Sequence, residues 1–96
     1  MPKGYVLAEI DVTDPQGYEA YKKLSSQAVA AHGGRFLVRG GEAVQLEGTR
    51  GPNRIVILEF DSPQQAQAFY DSAQYQEAAA VRRRASVSNF YRLTGS

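Results

Sequence analysis

The 96-residue chain has no cysteine and no tryptophan, and only one histidine and one methionine. Without cysteine there can be no disulfide, no thiolate nucleophile and no Cys-based zinc or iron–sulfur site. His32 alone cannot build a His-rich metal centre within one subunit, and no metal or organic cofactor is expected. An excess of one charge is also missing. Eleven Lys+Arg against ten Asp+Glu give a formal net charge of +1, so no global field draws in nucleic acid or a membrane surface. No run approaches the roughly 20 apolar residues that span a bilayer. The opening MPKGYVLAEID reaches charge at Glu9 after too short an apolar stretch for a signal peptide, and a cytoplasmic location is the expectation. What is present is a hydrophobic fraction of 43%, ordinary for a globular chain. This length predicts a single domain over 1–96 with a thin core.

Periodicity and caps divide the chain. YVLAEIDV (5–12) reads as a strand from its β-branched and aromatic content. Asp14 then caps a helix beginning at Pro15, where a missing N–H costs nothing. Tyr18, Tyr21, Ser25, Val29 and His32 recur along one face of that helix, and Gly33-Gly34 stops it. RFLVR (35–39) is a second strand. The glycine-rich GGEAVQLEGTRGPN (40–53) is a long excursion or a ragged hairpin. RIVILEF (54–60) is nearly all apolar, as suits a central strand. Ser62, Pro63 and Gln65 form a capping-box start, a break at Asp71-Ser72 splits the helical stretch, and VSNFYRL (87–93) closes as a strand.

The order strand, helix, strand, strand, helix, strand predicts an α+β ferredoxin-like βαββαβ sandwich, an antiparallel four-stranded sheet with two helices on one face. The halves also echo each other, AEIDVTDPQ (8–16) against LEFDSPQ (58–64). The right-handed crossover rule is taken to set the first and third strands side by side and parallel. Alternation puts Tyr5, Leu7, Ile55 and Ile57 on the face away from the helices. That face is too apolar to leave bare, so a twofold homodimer with facing sheets, a dimeric α/β barrel, is expected. Aligning the echo puts Glu9 and Glu59 on neighbouring strands, where Arg35 or Arg39 could bridge them. Such a group is either an acid/base centre or a set of solvated ion pairs at the sheet edge.

GYEAYKK, HGGRFLVRGG, LEG, VILEF and AFYDSAQYQEAAAVR, followed by a closing strand, together resemble the DUF1330 family of small uncharacterised bacterial proteins over nearly the whole chain. The resemblance implies the dimeric α/β-barrel superfamily. Its members include cofactor-independent monooxygenases, polyketide cyclases, lactone isomerases, chlorite dismutases and haem-degrading enzymes, so the reaction stays open. Phe69 and Ala73 depart from the tryptophan and proline that many relatives carry at the helical break.

Candidate residues follow, each with a plainer alternative. His32 is an acid/base candidate, since histidine as a residue type titrates close to neutral pH; its alternative is a helix-end cap. Arg39 could hold a carboxylate or phenolate with its two-pronged guanidinium, or pair with Glu42, Glu47 or Glu59. The resemblance to cyclases that pair tyrosine with histidine makes Tyr75 the second catalytic candidate. Tyr70, Ser72 and Glu59 join Arg39 as substrate-binding candidates, and the plain alternative for the tyrosines is a core position. Arg82-Arg83-Arg84 reads as helix-dipole and solubility charge rather than a phosphate site. Two functions are expected from these residues. One is a cofactor-independent acid/base enzyme acting on a small aromatic or polyketide-like acid. The other is a non-catalytic small-molecule-binding or structural homodimeric module.

Overall fold

The chain forms β1 (Gly4–Val12), α1 (Pro15–Ala31), β2 (Arg35–Arg39), β3 (Arg54–Phe60), α2 (Pro63–Asp71), α3 (Ala73–Ala85) and β4 (Ser86–Thr94). The structure is a computed structural model and describes residues 2–49, 51 and 54–96. The caps act as their chemistry requires. The Asp14 carboxylate accepts from Gly17 N at 3.2 Å, and the Ser62 hydroxyl accepts from Gln65 N at 3.1 Å. Only half of the expected capping box forms at Ser62. The Gln65 amide donates instead to the His32 carbonyl at 2.8 Å, which ties the start of α2 to the end of α1. Gly33, at φ +72°, takes the left-handed conformation that turns the chain into β2.

The four strands order as β2-β3-β1-β4, with every neighbouring pair antiparallel. This is the ferredoxin-like βαββαβ arrangement. The expectation of parallel first and third strands is corrected: β1 and β3 are adjacent but run oppositely. Each helical crossover relates β1 to β2 and β3 to β4, and the crossover rule governs those parallel but non-adjacent pairs. The Glu9–Glu59 pair fails with it. Glu59 stands opposite Tyr5 and Glu9 opposite Ile55, four residues apart along the strand, or about 13 Å.

The core lies between the helices and one sheet face. Val6, Ala8, Ile10, Leu58 and Phe60 point into it from the strands, and Tyr18, Tyr21, Phe69 and Tyr75 meet them from the helices. The predicted α1 face is therefore real: Tyr18, Tyr21, Ser25 and Val29 are buried, while His32 sits half-buried at the helix end. Small Ala28, Ala78 and Ala79, all fully buried, let α1 and α3 lie against each other. On the opposite face Leu7, Ile55 and Ile57 are half-buried, and Leu37, Val38, Tyr91 and Leu93 are exposed.

A β-bulge changes what β2 presents. Phe36 pairs with Leu58 and Val38 with Ile57, leaving Leu37 as an extra residue. Arg35, opposite Glu59, faces the bare side, while Arg39, opposite Val56, faces the helical side. Arg35 and Arg39, four residues apart, would share a face on a regular strand; one inserted residue inverts all that follows and parts them. In the excursion after Arg39 the described residues form no strand, with Val44 and Leu46 well exposed. Arg50, Pro52 and Asn53 of that stretch lie outside the described residues.

Candidate functional site

Residues of α3 build the most unusual interior group. The helix buries Tyr75, Ala78, Ala79, Arg82 and Ala85, a stripe spaced by three and four, so Arg82 takes a core position two turns after Tyr75. Its side chain is 4% exposed. Arg82 Nη1 donates to Tyr75 Oη at 2.6 Å, and that oxygen lies 2.7 Å from Tyr21 Oη. The guanidinium stacks 4.1 Å over the Phe90 ring. Its Nε is buried with no partner.

Burial pushes the Tyr75 hydroxyl far above the ordinary tyrosine range, against the opposing pull of Arg82. Tyr75 is therefore neutral at any physiological pH and holds its proton inside a closed hydrogen-bond chain. Burial alone would pull Arg82 down, but the Tyr75 and Tyr21 oxygens outweigh it and leave the guanidinium above its usual value. This contradicts the reading of Arg82 as surface charge, which fits only the exposed Arg83 and Arg84.

Ser72 is the joint between α2 and α3. Its hydroxyl donates to the Phe69 carbonyl at 2.7 Å and accepts from Tyr75 N at 3.1 Å, so it is engaged in holding the break and setting Tyr75. His32 ends α1 with Nδ1 at 2.9 Å from the Ala28 carbonyl. A carbonyl can only accept, so Nδ1 carries the proton. The imidazole stands edge-on to Phe69 at 6.0 Å between centroids.

Arg39 stacks 4.1 Å over Phe36 and donates to the Ser26 hydroxyl. Glu59 is on the bare face, where Arg35 Nε donates at 2.6 Å and Tyr5 Oη at 3.0 Å. The Arg35 hydrogen bond, joined by that from Tyr5, holds the Glu59 carboxyl below the usual carboxylate range despite some burial. The bond to Glu59 correspondingly raises Tyr5.

None of the described cavities is lined by more than one of His32, Arg39 and Tyr75. Of the predicted residues only Tyr70 lines the cleft between α2 and the β1–β4 edge, a cavity of about 240 Å³ walled by Val6, Gln67, Tyr70, Phe90, Tyr91 and Arg92. Tyr70 lies 6.1 Å from Phe90 and 5.5 Å from Tyr75, centroid to centroid. At the rim Arg92 Nε donates to Gln67 Oε1 at 3.2 Å. Phe90 thus separates the cleft from the buried Arg82. Sequence reasoning missed Gln67, Phe90, Arg92, Arg82 and Tyr21 as site residues. The three-and-four spacing on α3 could have exposed Arg82, whereas Phe90 and Arg92 needed the β1–β4 register, which sets them opposite Ala8 and Val6. Among the described residues no group of three acidic or imidazole side chains could hold a metal, and no helix is long and apolar enough to cross a membrane.

A family model described as "Domain of unknown function (DUF1330)" matches residues 3–96. No curated protein matches the chain. Among solved structures, a protein of unknown function from Rhodopseudomonas palustris shares 21% identity at a TM-score of 0.75, covering 96% of this chain and 81% of that one. SnoaB, a cofactor-independent oxygenase from Streptomyces nogalater, is 13% identical at a TM-score of 0.66, covering 100% and 95%. A dimeric ferredoxin-like protein of unknown function from Thermobifida fusca is 18% identical at 0.60, covering 96% and 92%. At these identities the likeness is one of fold, the ferredoxin-like fold of dimeric α/β-barrel proteins.

Proposed function

We propose, for a chain that belongs to the DUF1330 family, that it is a homodimer binding a small aromatic acid in the cleft between α2 and the β1–β4 edge. One observation carries the reading: aromatic walls, Tyr70 and Phe90, meet a polar rim of Arg92 and Gln67 around about 240 Å³. Ring faces favour a flat apolar ligand, and a guanidinium at the rim suits a carboxylate. The volume falls below the roughly 300–1,000 Å³ of drug-sized sites, which favours one ring over a polycyclic ligand.

Binding is favoured over acid/base turnover. Tyr75 is 1% exposed with its proton held by burial, and His32 is not among the residues lining the cleft. The homodimer is supported by the apolar face of Leu7, Ile55, Ile57, Val38, Tyr91 and Leu93, which no helix covers. The Arg35–Glu59–Tyr5 row there is already paired within the chain and so can enter an interface at lower cost. A neighbour of the same fold is described as dimeric.

Calorimetric titration with benzoate and salicylate tests the site. Saturable binding that weakens about tenfold in Tyr70→Ala and in Arg92→Ala is expected, a loss of about 1.4 kcal/mol each. Equal affinity in both variants refutes the assignment. Turnover of the ligand that is lost in His32→Ala with binding intact would instead restore the catalytic reading.

A further inference from the structure

A second concave surface lies at the opposite edge of the sheet, between α1 and the β2–β3 end. It is an open groove of about 570 Å³ lined by Glu19, Lys22, Lys23, Ser26, Gln27, Arg39 and Arg54. Helical spacing explains the first part: residues 19, 22, 23 and 26 fall at i, i+3, i+4 and i+7 and share one face of α1. The bulge at Leu37 explains the second, because it turns Arg39 to the helical side. Arg54 lies two residues before Val56, the partner of Arg39, and so points the same way.

Each arginine is held in place rather than left to sample solvent. Arg39 stacks on Phe36 and donates to Ser26. Arg54 stands 5.5 Å over the Tyr18 ring, and its Nε is buried without a partner. Gly40, at φ +72°, leaves room for that guanidinium, into which any Cβ there would collide. The groove therefore gathers four cations, the two arginines on ordered supports, in a chain whose net charge is only +1. Glu19, the sole carboxylate lining it, is already engaged by Lys22 at 2.7 Å.

We infer that this groove binds the dianionic phosphate of a small phosphomonoester. Two arginine forks and two ammonium groups offer more donors than one carboxylate can accept, while the Ser26 hydroxyl, its proton given to the Lys22 carbonyl at 2.8 Å, serves to orient Arg39. A phosphate supplies three acceptor oxygens with up to two charges. A free phosphomonoester is favoured over a nucleic-acid backbone. Phosphodiesters carry one charge each, and the aromatic ring beside the groove, Phe36, is already covered by Arg39, leaving no stacking platform for bases.

NMR titration of the full chain with inorganic phosphate and with phenyl phosphate, against chloride at matched ionic strength, tests the site. Saturable amide shifts centred on Ser26, Arg39 and Gly40 are expected, with affinity falling at least tenfold in Arg39→Gln and in Arg54→Gln. Arg54 is packed, so Lys23→Glu, exposed on α1, serves as a second variant; it weakens binding while circular dichroism stays unchanged. Shifts no larger than those from chloride overturn the proposal, as does equal affinity in Lys23→Glu. Tighter, steeply salt-dependent binding of a single-stranded oligonucleotide overturns it in favour of nucleic acid. The groove and the aromatic cleft share no lining residue, so failure at one leaves the other standing.

Discussion

Replacing Tyr75 by phenylalanine removes one oxygen from the chain's interior and leaves nearly all of its apolar packing. That oxygen receives the Arg82 Nη1 hydrogen bond at 2.6 Å and lies 2.7 Å from the Tyr21 hydroxyl. In the variant a 4%-exposed guanidinium loses its closest oxygen while its Nε is already unpartnered. An unsatisfied buried donor costs about 1–3 kcal/mol, more when charged, so Tyr75→Phe is expected to lose about 2–3 kcal/mol of stability. For a domain of this size that is a fall of about 10–20 °C in Tm. Arg82→Met provides the contrast. It removes the buried charge, keeps contact with the Phe90 ring, and leaves the two tyrosine hydroxyls bonded to each other, so it should cost about 1 kcal/mol or less. The double variant should then be more stable than Tyr75→Phe alone. Urea unfolding at one fixed protein concentration, with m unchanged, measures all three. The reasoning is refuted if Arg82→Met proves more damaging than Tyr75→Phe, because the burden would then be lost packing rather than a stranded charge.

Ile57→Glu, which puts an unpaired carboxylate on the bare sheet face, should convert the proposed homodimer to monomers in sedimentation velocity while circular dichroism is retained. The Glu59 carboxyl is depressed in the folded chain, first by the Arg35 hydrogen bond. Its contribution to stability is therefore complete above the ordinary carboxylate range and is lost as pH falls through its lowered value. Acid unfolding of Glu59→Gln should lack that component, with Arg35, Tyr5, Lys3 and Asp61 as the surrounding groups. Gly33→Ala forces a side chain into φ +72° and should cost about 1–2 kcal/mol in urea unfolding, while Ala30→Gly, in the last turn of α1, should cost about 1 kcal/mol or less.

Much of the fold was readable residue by residue. Asp14, Ser62 and the Gly33 turn act on backbone groups within a few residues, so neither helix start, nor the end of α1, needed knowledge of the rest of the chain. The same holds for the β3 span 54–60 and the break at Ser72, where composition and one hydroxyl suffice. Gln65 marks the limit of such reading: its spacing promised a local cap, and its amide instead reached His32, 33 positions back.

The amino-acid order by itself determined where most elements begin and end and that one sheet face would be apolar and uncovered by helices, because those properties depend on neighbours along the chain and on period. Only the tertiary structure decided which side chains share a space. One extra residue at Leu37 sent Arg39 to the helices and away from Arg35, antiparallel pairing parted Glu9 from Glu59, and helix packing drew Arg82 inward to Tyr75 and Tyr21. Register, bulge and packing depend on contacts between segments distant in sequence, and a shift of one residue in any of them reverses the face on which a functional group appears.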